Sequence, residues 1–314
     1  MISRPKPRVL IAEFMDEPAI DALRARHDVR YDPDLFGKRD ELGREIGLAD
    51  ALIVRNNTRV DAALIAAAPK LRAIARLGVG LDNIDQETCK KRGIAIYPAT
   101  GANARSVAEY TIAAMLFLQR DLWSSNAETG AGKWPRLEFS NTGEALGKTL
   151  GLIGFGQIGQ LVAKLAMPFA MRVVATDPAF PDASPLWAQT GVAPRSLAEL
   201  LGESDIVSLH LPLDATTRGL LDHAKLAATK RGAFLINTAR GGIVDENALA
   251  KLLRNGHLAG AVIDVFSDEP LKSGSPLAGL PNVWLTPHVA GLTREANARV
   301  SAIAAEKIDQ ALRN

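Results

Sequence analysis

The chain has 314 residues, long enough for two domains that each bury a core. Lys and Arg total 37 against 35 Asp and Glu, a near-neutral balance that gives no argument for nucleic acid or a membrane surface as partner. A single cysteine, Cys89, excludes an intramolecular disulfide and any multi-cysteine metal site, so no metal is expected.

The N-terminal stretch 1–8 is polar and proline-bearing, unlike a secretory signal, and no apolar run is long enough to cross a bilayer; a soluble, cytoplasmic chain is expected. Short β-branched runs then alternate with helix-period segments, the pattern of parallel sheets with crossover helices. A first set of strands is expected over 9–12, 51–54, 73–76 and 94–97, with Cys89 in a core helix between the last two. The apolar segment 107–119 follows, a helix too short for a membrane and suited to a domain junction with the ligand groove beside it. A second set is expected over 149–153, 173–176, 206–209, 233–237, 261–264 and 283–286. The closing segment 293–313 is amphipathic, with Ala296, Val300, Ile303 and Ile308 on one side, and is expected to cross back onto the first domain. The fold class is therefore α/β: two doubly wound parallel-sheet domains, Rossmann-like or flavodoxin-like, with an active-site cleft between them. Residues 1–102 plus 292–314 are expected to form a discontinuous substrate domain, and 103–291 a dinucleotide domain.

The run GFGQIG at 154–159 leaves an apolar strand and enters a helical pattern, and Asp177 ends the next strand about twenty residues on. Gly154, Gly156 and Gly159 in that setting let backbone approach a pyrophosphate and aim helix N–H groups at it. A carboxylate at 177 can bond both hydroxyls of an adenosine ribose and repels a 2′-phosphate, so NAD is expected rather than NADP.

Three polar residues stand just past strands of the second set: Arg240, Glu269 and His288. Strand carboxyl ends are where ligands bind in open α/β sheets. Oxidising a 2-hydroxy acid needs a base for the hydroxyl proton and a cation for the carboxylate and carbonyl oxygens. His288 titrates near neutrality and suits the first task, with Glu269 orienting its ring. A planar Arg240 guanidinium can hold two oxygens at once, and the paired Gly241 and Gly242 behind it permit close approach of a ligand.

These residues lie in an ordered series of motifs: RLGVGLDNID (76–85), GANARSVAE (101–109), the glycine turn, NTARGGIVDE (237–246), DVFSDEP (264–270) and TPHVAG (286–291). With them the chain resembles, over nearly its full length, the D-2-hydroxyacid dehydrogenases, particularly their phosphoglycerate dehydrogenase branch. The resemblance implies that Arg240, Glu269 and His288 are catalytic. It also implies that Gln157 and Ile158 lie on the pyrophosphate, Leu211 beside the cofactor, and Thr238 and Asp264 at the nicotinamide end, with Gly291 in the same cofactor set. Val79 and Gly80 would offer N–H groups to the substrate carboxylate. A homodimer joined through the nucleotide domains is implied as well. The serine-sensing C-terminal extension of longer phosphoglycerate enzymes has no counterpart, so that feedback is not expected.

The substrate is expected to be a small anionic 2-hydroxy or 2-oxo acid. Arg55 aligns with a contact to the distal phosphate in phosphoglycerate enzymes, although Asn57 stands where some relatives carry a second Arg. Arg136 is another candidate for a distal anion. EFMDE (13–17), PATGAN (98–103) and KWPR (133–136) also resemble sulfolactate dehydrogenases. 3-Phosphoglycerate is the leading expectation, with sulfolactate, glyoxylate or hydroxypyruvate behind it. Formate or phosphite oxidation is a more remote reading, and an NAD-sensing corepressor that binds peptides is the alternative from a different class.

Overall fold

The computed structural model describes residues 5–122 and 124–313, so the first four residues of the expected substrate domain and its last, Asn314, lie outside it. The chain divides into two compact units, one running through Asn103 and resuming at Leu292, the other Ala104–Gly291.

In the first unit, strands β1 (Arg8–Ile11), β2 (Asp28–Tyr31), β3 (Ala51–Val54), β4 (Ala73–Arg76) and β5 (Ala95–Pro98) form a parallel sheet in the order β2-β1-β3-β4-β5. Side chains alternate across it. Val9 and Ile11 of β1 face one core with Ile53, Ala75 and Val300, whereas Leu10 faces another with Leu52, Ile74 and Leu42. Both faces are thus buried, which is why these strands read as unbroken apolar runs. The last helix, Arg294–Arg313, belongs to this unit because Val300, Ala304, Ile308 and Leu312 fill the first of those cores. Each fully buried Ile or Leu contributes roughly 1.5–3 kcal/mol. Cys89 is buried in the short helix Gln86–Lys91.

In the second unit, β6 (Thr149–Ile153), β7 (Arg172–Thr176), β8 (Ala193–Pro194), β9 (Ile206–Leu209), β10 (Ala233–Asn237), β11 (Leu258–Ile263) and β12 (Val283–Leu285) form a parallel sheet in the order β12-β11-β10-β9-β6-β7-β8. The strand order reverses between β6 and β9, and that switch point is where an open α/β sheet receives its ligand. Helix Ala104–Arg120 packs on helix Gln157–Ala166 and on β10 and β11, so it is a core element of this unit. No helix among the described residues is long and apolar enough to cross a membrane.

Two strands were not expected. β2 edges its sheet with exposed and half-buried residues, and β8 is two residues long, so neither presents an apolar run. β11 begins three residues before its expected start, because exposed Ala259 and buried Gly260, which has no side chain, interrupt the apolar pattern. Gly260 is needed there: a Cβ would lie 3.0 Å from the Asn282 carbonyl oxygen just before β12.

Candidate functional site

Three glycines define the turn between β6 and helix Gln157–Ala166, and they answer to different constraints. Gly154 has φ +96°, and a Cβ on it would lie 2.7 Å from the carbonyl carbon of His210, past the end of β9. A Cβ on Gly159 would overlap the carbonyl oxygen of Gly154. The protein itself therefore requires both. Gly156, at φ −68°, has nothing within 4 Å of its Cβ position. Open space there, at the start of a helix with no side-chain cap, fits a ligand that approaches the backbone closely. The N–H groups of Gln157 and Ile158 meet no acceptor among the described residues. Phe155, fully buried and stacked on Trp187 at 5.0 Å between centroids, anchors the turn from below.

Asp177 sits where β7 ends. Its Oδ2 accepts the Phe155 N–H at 2.7 Å and its Oδ1 the Ala179 N–H at 2.9 Å, leaving one lone pair on each oxygen for a ribose hydroxyl. The nearby cation that could favour a 2′-phosphate, Arg195, is held by Glu203 at 2.8 Å and by the Pro194 carbonyl. Leu211 follows His210 across the switch point, its N 3.2 Å from the Gly154 Cβ position. Thr238 is buried at the end of β10 with no partner for its hydroxyl, an orphaned polar atom that a bound amide would satisfy. The switch-point turn, the lone pairs of Asp177 and the Thr238 hydroxyl together fit a dinucleotide.

Arg240, Glu269 and His288 come from loops after β10, β11 and β12. The imidazole Nδ1 of His288 lies 2.8 Å from Glu269 Oε2, and Glu269 Oε1 accepts the Phe266 N–H at 3.0 Å. Burial pushes the Glu269 carboxyl up, but its bonds to His288 and Phe266 and the charges of His288 and Arg240 outweigh that, holding it below its ordinary value. The Arg240 loop is closed by Asn237, whose side chain donates to the Arg240 carbonyl and accepts from the Ala239 N–H. The paired glycines have separate structural reasons. Gly241 is required by the protein itself, since a Cβ there would overlap the Phe266 carbonyl, whereas Gly242 takes φ +77°.

His288 has φ +56°, a left-handed conformation that costs a non-glycine residue roughly 1–2 kcal/mol. Asp264 holds it there. The Asp264 carboxylate, 0% exposed, accepts the Thr286 hydroxyl at 2.6 Å and the Val289 and Ala290 N–H groups at 2.8 and 2.9 Å, while the Asp264 carbonyl takes the His288 N–H at 2.8 Å. Its visible work is thus on the loop that carries His288, and that loop ends at Gly291. Burial pushes the Asp264 carboxyl up, opposed by those three donors and the His288 charge.

In the first unit, Glu13 is 2% exposed and was not singled out from sequence; its carboxylate accepts the N–H groups of Arg55, Asn57 and Thr58 at 2.8, 3.1 and 2.9 Å. Asn83 braces the same loop by donating to the Arg55 and Thr58 carbonyls. The only signal for either was membership in a motif. The Arg55 guanidinium donates to Asn297 Oδ1 at 2.5 Å and lies 5.6 Å from the centroid of the Phe14 ring. Burial holds Arg55 below its ordinary value despite the Glu13 charge. The N–H groups of Val79 and Gly80, past β4, meet no acceptor among the described residues. Arg136 stands on an exposed stretch beside Trp134 and Leu137, which are 80% and 85% exposed, and no hydrogen bond or ion pair links it to the catalytic candidates.

The family described as D-isomer specific 2-hydroxyacid dehydrogenase, NAD binding domain, matches residues 112–290. The chain is 48% identical to an (S)-sulfolactate dehydrogenase of Chromohalobacter salexigens, across 97% of this chain and 98% of that protein. It is 42% identical to a D-3-phosphoglycerate dehydrogenase of Mycobacterium tuberculosis over 98% of its length, spanning 57% of that longer enzyme. The crystal structure of the TT0316 protein from Thermus thermophilus superposes with a TM-score of 0.89 at 39% identity, covering 98% of this chain and 97% of that one. The chain belongs to the D-isomer specific 2-hydroxyacid dehydrogenase family and is an NAD-dependent oxidoreductase of 2-hydroxy acids.

Proposed function

We propose that this dehydrogenase acts on a 2-hydroxy acid carrying a second anionic group, with sulfolactate the best-supported substrate and 3-phosphoglycerate second. The observation that carries the reading is Arg55. Its half-buried guanidinium bonds to neutral Asn297, and Glu13, the carboxylate whose charge reaches it, spends both oxygens on the backbone N–H groups of Arg55, Asn57 and Thr58. A desolvated cation whose guanidinium has no carboxylate bonded to it favours an anion brought by a ligand. Asn57, where some relatives carry a second Arg, is neutral, and lacking that charge beside Arg55 suits a singly charged sulfonate better than a phosphate dianion. The relative at 48% identity bears the sulfolactate name, and those at 42% the phosphoglycerate name; Arg136 is the candidate for a second cation on the distal group.

In this reading His288 is the acid and base. Its Nδ1 is committed to Glu269, so Nε2 is the nitrogen left to take the hydroxyl proton in oxidation and return it in reduction. Glu269 fixes the ring and stabilises the cation that forms. Arg240 holds the carboxylate and polarises the carbonyl oxygen, while the Val79 and Gly80 N–H groups serve the carboxylate. NAD, when bound, supplies the hydride acceptor. Gly154, Gly156, Gln157, Ile158 and Gly159 would hold its pyrophosphate, Asp177 the ribose, and Leu211, Thr238, Asp264 and Gly291 the remaining contacts. A homodimer is part of the proposal: Leu122, Trp134, Leu137 and Leu146 are exposed on the second unit, and a partner copy would cover them.

The test is NADH absorbance with sulfolactate, 3-phosphoglycerate, hydroxypyruvate and acids without a distal anion. Arg55→Ala should lower kcat/KM about 30-fold or more for the preferred distal anion, the usual scale for losing one partner of a buried charge pair. Acids lacking that anion should be little affected. An equal loss on both kinds of substrate refutes the subsite.

A further inference from the structure

The left-handed backbone of His288 is held by Asp264, and Asp264 is itself held by a hydroxyl chain that reaches a distant helix. Thr286 Oγ1 donates to Asp264 Oδ1 at 2.6 Å and lies 2.6 Å from Tyr110 Oη, on helix Ala104–Arg120. The proton order in this chain is fixed by chemistry. Three donors converge on the Asp264 carboxylate, which therefore acts as acceptor, and Thr286 has one hydrogen and spends it there. Tyr110 must then donate to Thr286. Burial pushes the Tyr110 phenol up, so it keeps the proton this requires.

We propose that Tyr110 is a positioning residue for the dehydrogenase: by donating to Thr286 it holds the Asp264 carboxylate against the 288–290 backbone, and so keeps His288 aimed at Glu269. The inference rests on the reading of His288 as the acid and base. The Tyr110 hydroxyl bonds to Thr286, which is not one of the three catalytic candidates. Its effect travels through Thr286 and Asp264, two hydrogen bonds in series, each shorter than a typical hydroxyl bond. Without the phenol, Thr286 is free to rotate its hydroxyl toward another acceptor. The Asp264 Oδ1 then loses its strongest donor, and the 286–290 segment loses the restraint that offsets its left-handed residue.

The experiment compares Tyr110→Phe, Thr286→Val, the double variant and His288→Ala, measuring kcat and KM by NADH absorbance and NAD affinity by fluorescence titration. Tyr110→Phe should lower kcat about 3- to 10-fold while KM and NAD affinity stay within about twofold, since the substitution removes no group assigned to a ligand. Thr286→Val should cost more, and the double variant should be no slower than Thr286→Val alone, because the two groups act in series. Multiplying effects in the double variant, or an unchanged kcat in Tyr110→Phe beside an inactive His288→Ala, overturns the proposal. Full turnover in His288→Ala instead overturns the reading of the acid and base, and the proposal with it.

Discussion

Replacing Gly156 with Ala separates what the fold needs from what the cofactor needs. At φ −68° an alanine is unstrained, and the structure offers nothing within 4 Å for its methyl to strike. Reduced freedom of the unfolded chain favours the variant by about 0.4–1 kcal/mol. Alanine is a poorer residue than glycine at a helix N-cap, which opposes that gain by roughly 0.5–1 kcal/mol. The two terms cancel to within about 0.5 kcal/mol, or about 1–2 °C in Tm for a domain of this size. NAD binding should behave otherwise. The methyl fills open space at the start of the helix, where the proposed pyrophosphate approaches the backbone, and overpacking of that kind costs about 1–3 kcal/mol, roughly 5- to 150-fold in Kd. Gly154→Ala provides the contrast, since its Cβ would run into the His210 carbonyl and its φ is +96°, so that variant should lose stability outright. Thermal unfolding and a calorimetric NAD titration read both quantities. A Gly156→Ala protein that binds NAD as tightly as the native one would remove the pyrophosphate from this turn.

His288→Ala should reduce kcat by about 10²- to 10⁴-fold, the range for losing a general acid and base, with NAD affinity retained in a direct titration. Normal turnover in that variant would reassign the proton. Glu269→Gln keeps an acceptor for the ring but removes the charge, so its loss of kcat should be smaller than that of His288→Ala; an equal loss would give Glu269 a role beyond orienting the imidazole. His210 supplies the pH dependence. Its Nδ1 is shielded from solvent without a partner, its Nε2 pairs with Ser208, and burial pulls its pKa from 6.5 to about 3. The unfolded chain then binds a proton that the folded one does not, so stability rises with pH between those values and falls on acidification. From neutral pH to about pH 5 this group alone should cost up to about 2 kcal/mol. His210→Gln should flatten that part of the stability curve in urea titrations, and an unchanged slope would show that folding does not lower the pKa of this ring.

Much of this architecture was legible because parallel strands buried on both faces announce themselves. The runs 51–54, 73–76, 149–153, 206–209 and 233–237 were delimited to the residue, since a mostly apolar, β-branched run coincides with each ladder. β2 escaped because an edge strand with half-exposed side chains has no such signature. The glycine turn and the acid after β7 were readable for a different reason, as a short local motif with a fixed spacing. What could not be read is anything carried by long-range hydrogen bonding. Glu13 meets its three donors more than forty residues on, and Tyr110 meets Thr286 across 176 positions. No periodicity in the sequence connects such pairs. Gly241 shows the complementary limit: the residue type was legible, but the backbone of the Phe266 loop that requires it was not.

That requirement matters for how the site works as a unit. Phe266 gives its N–H to Glu269 Oε1, and its carbonyl packs where a side chain at position 241 would have to go. The peptide groups on either side of one buried phenylalanine therefore set both the carboxylate that orients His288 and the backbone that follows Arg240. The register between the three strand-end loops is fixed by close backbone approach and short hydrogen bonds, which transmit displacement with little slack. Any side chain at 241 must push the Arg240 loop away from the Phe266 loop, and Glu269 moves with Phe266. The geometry of the cation and the acid–base pair is consequently one quantity, which explains why a glycine with no evident ligand contact stands at its centre.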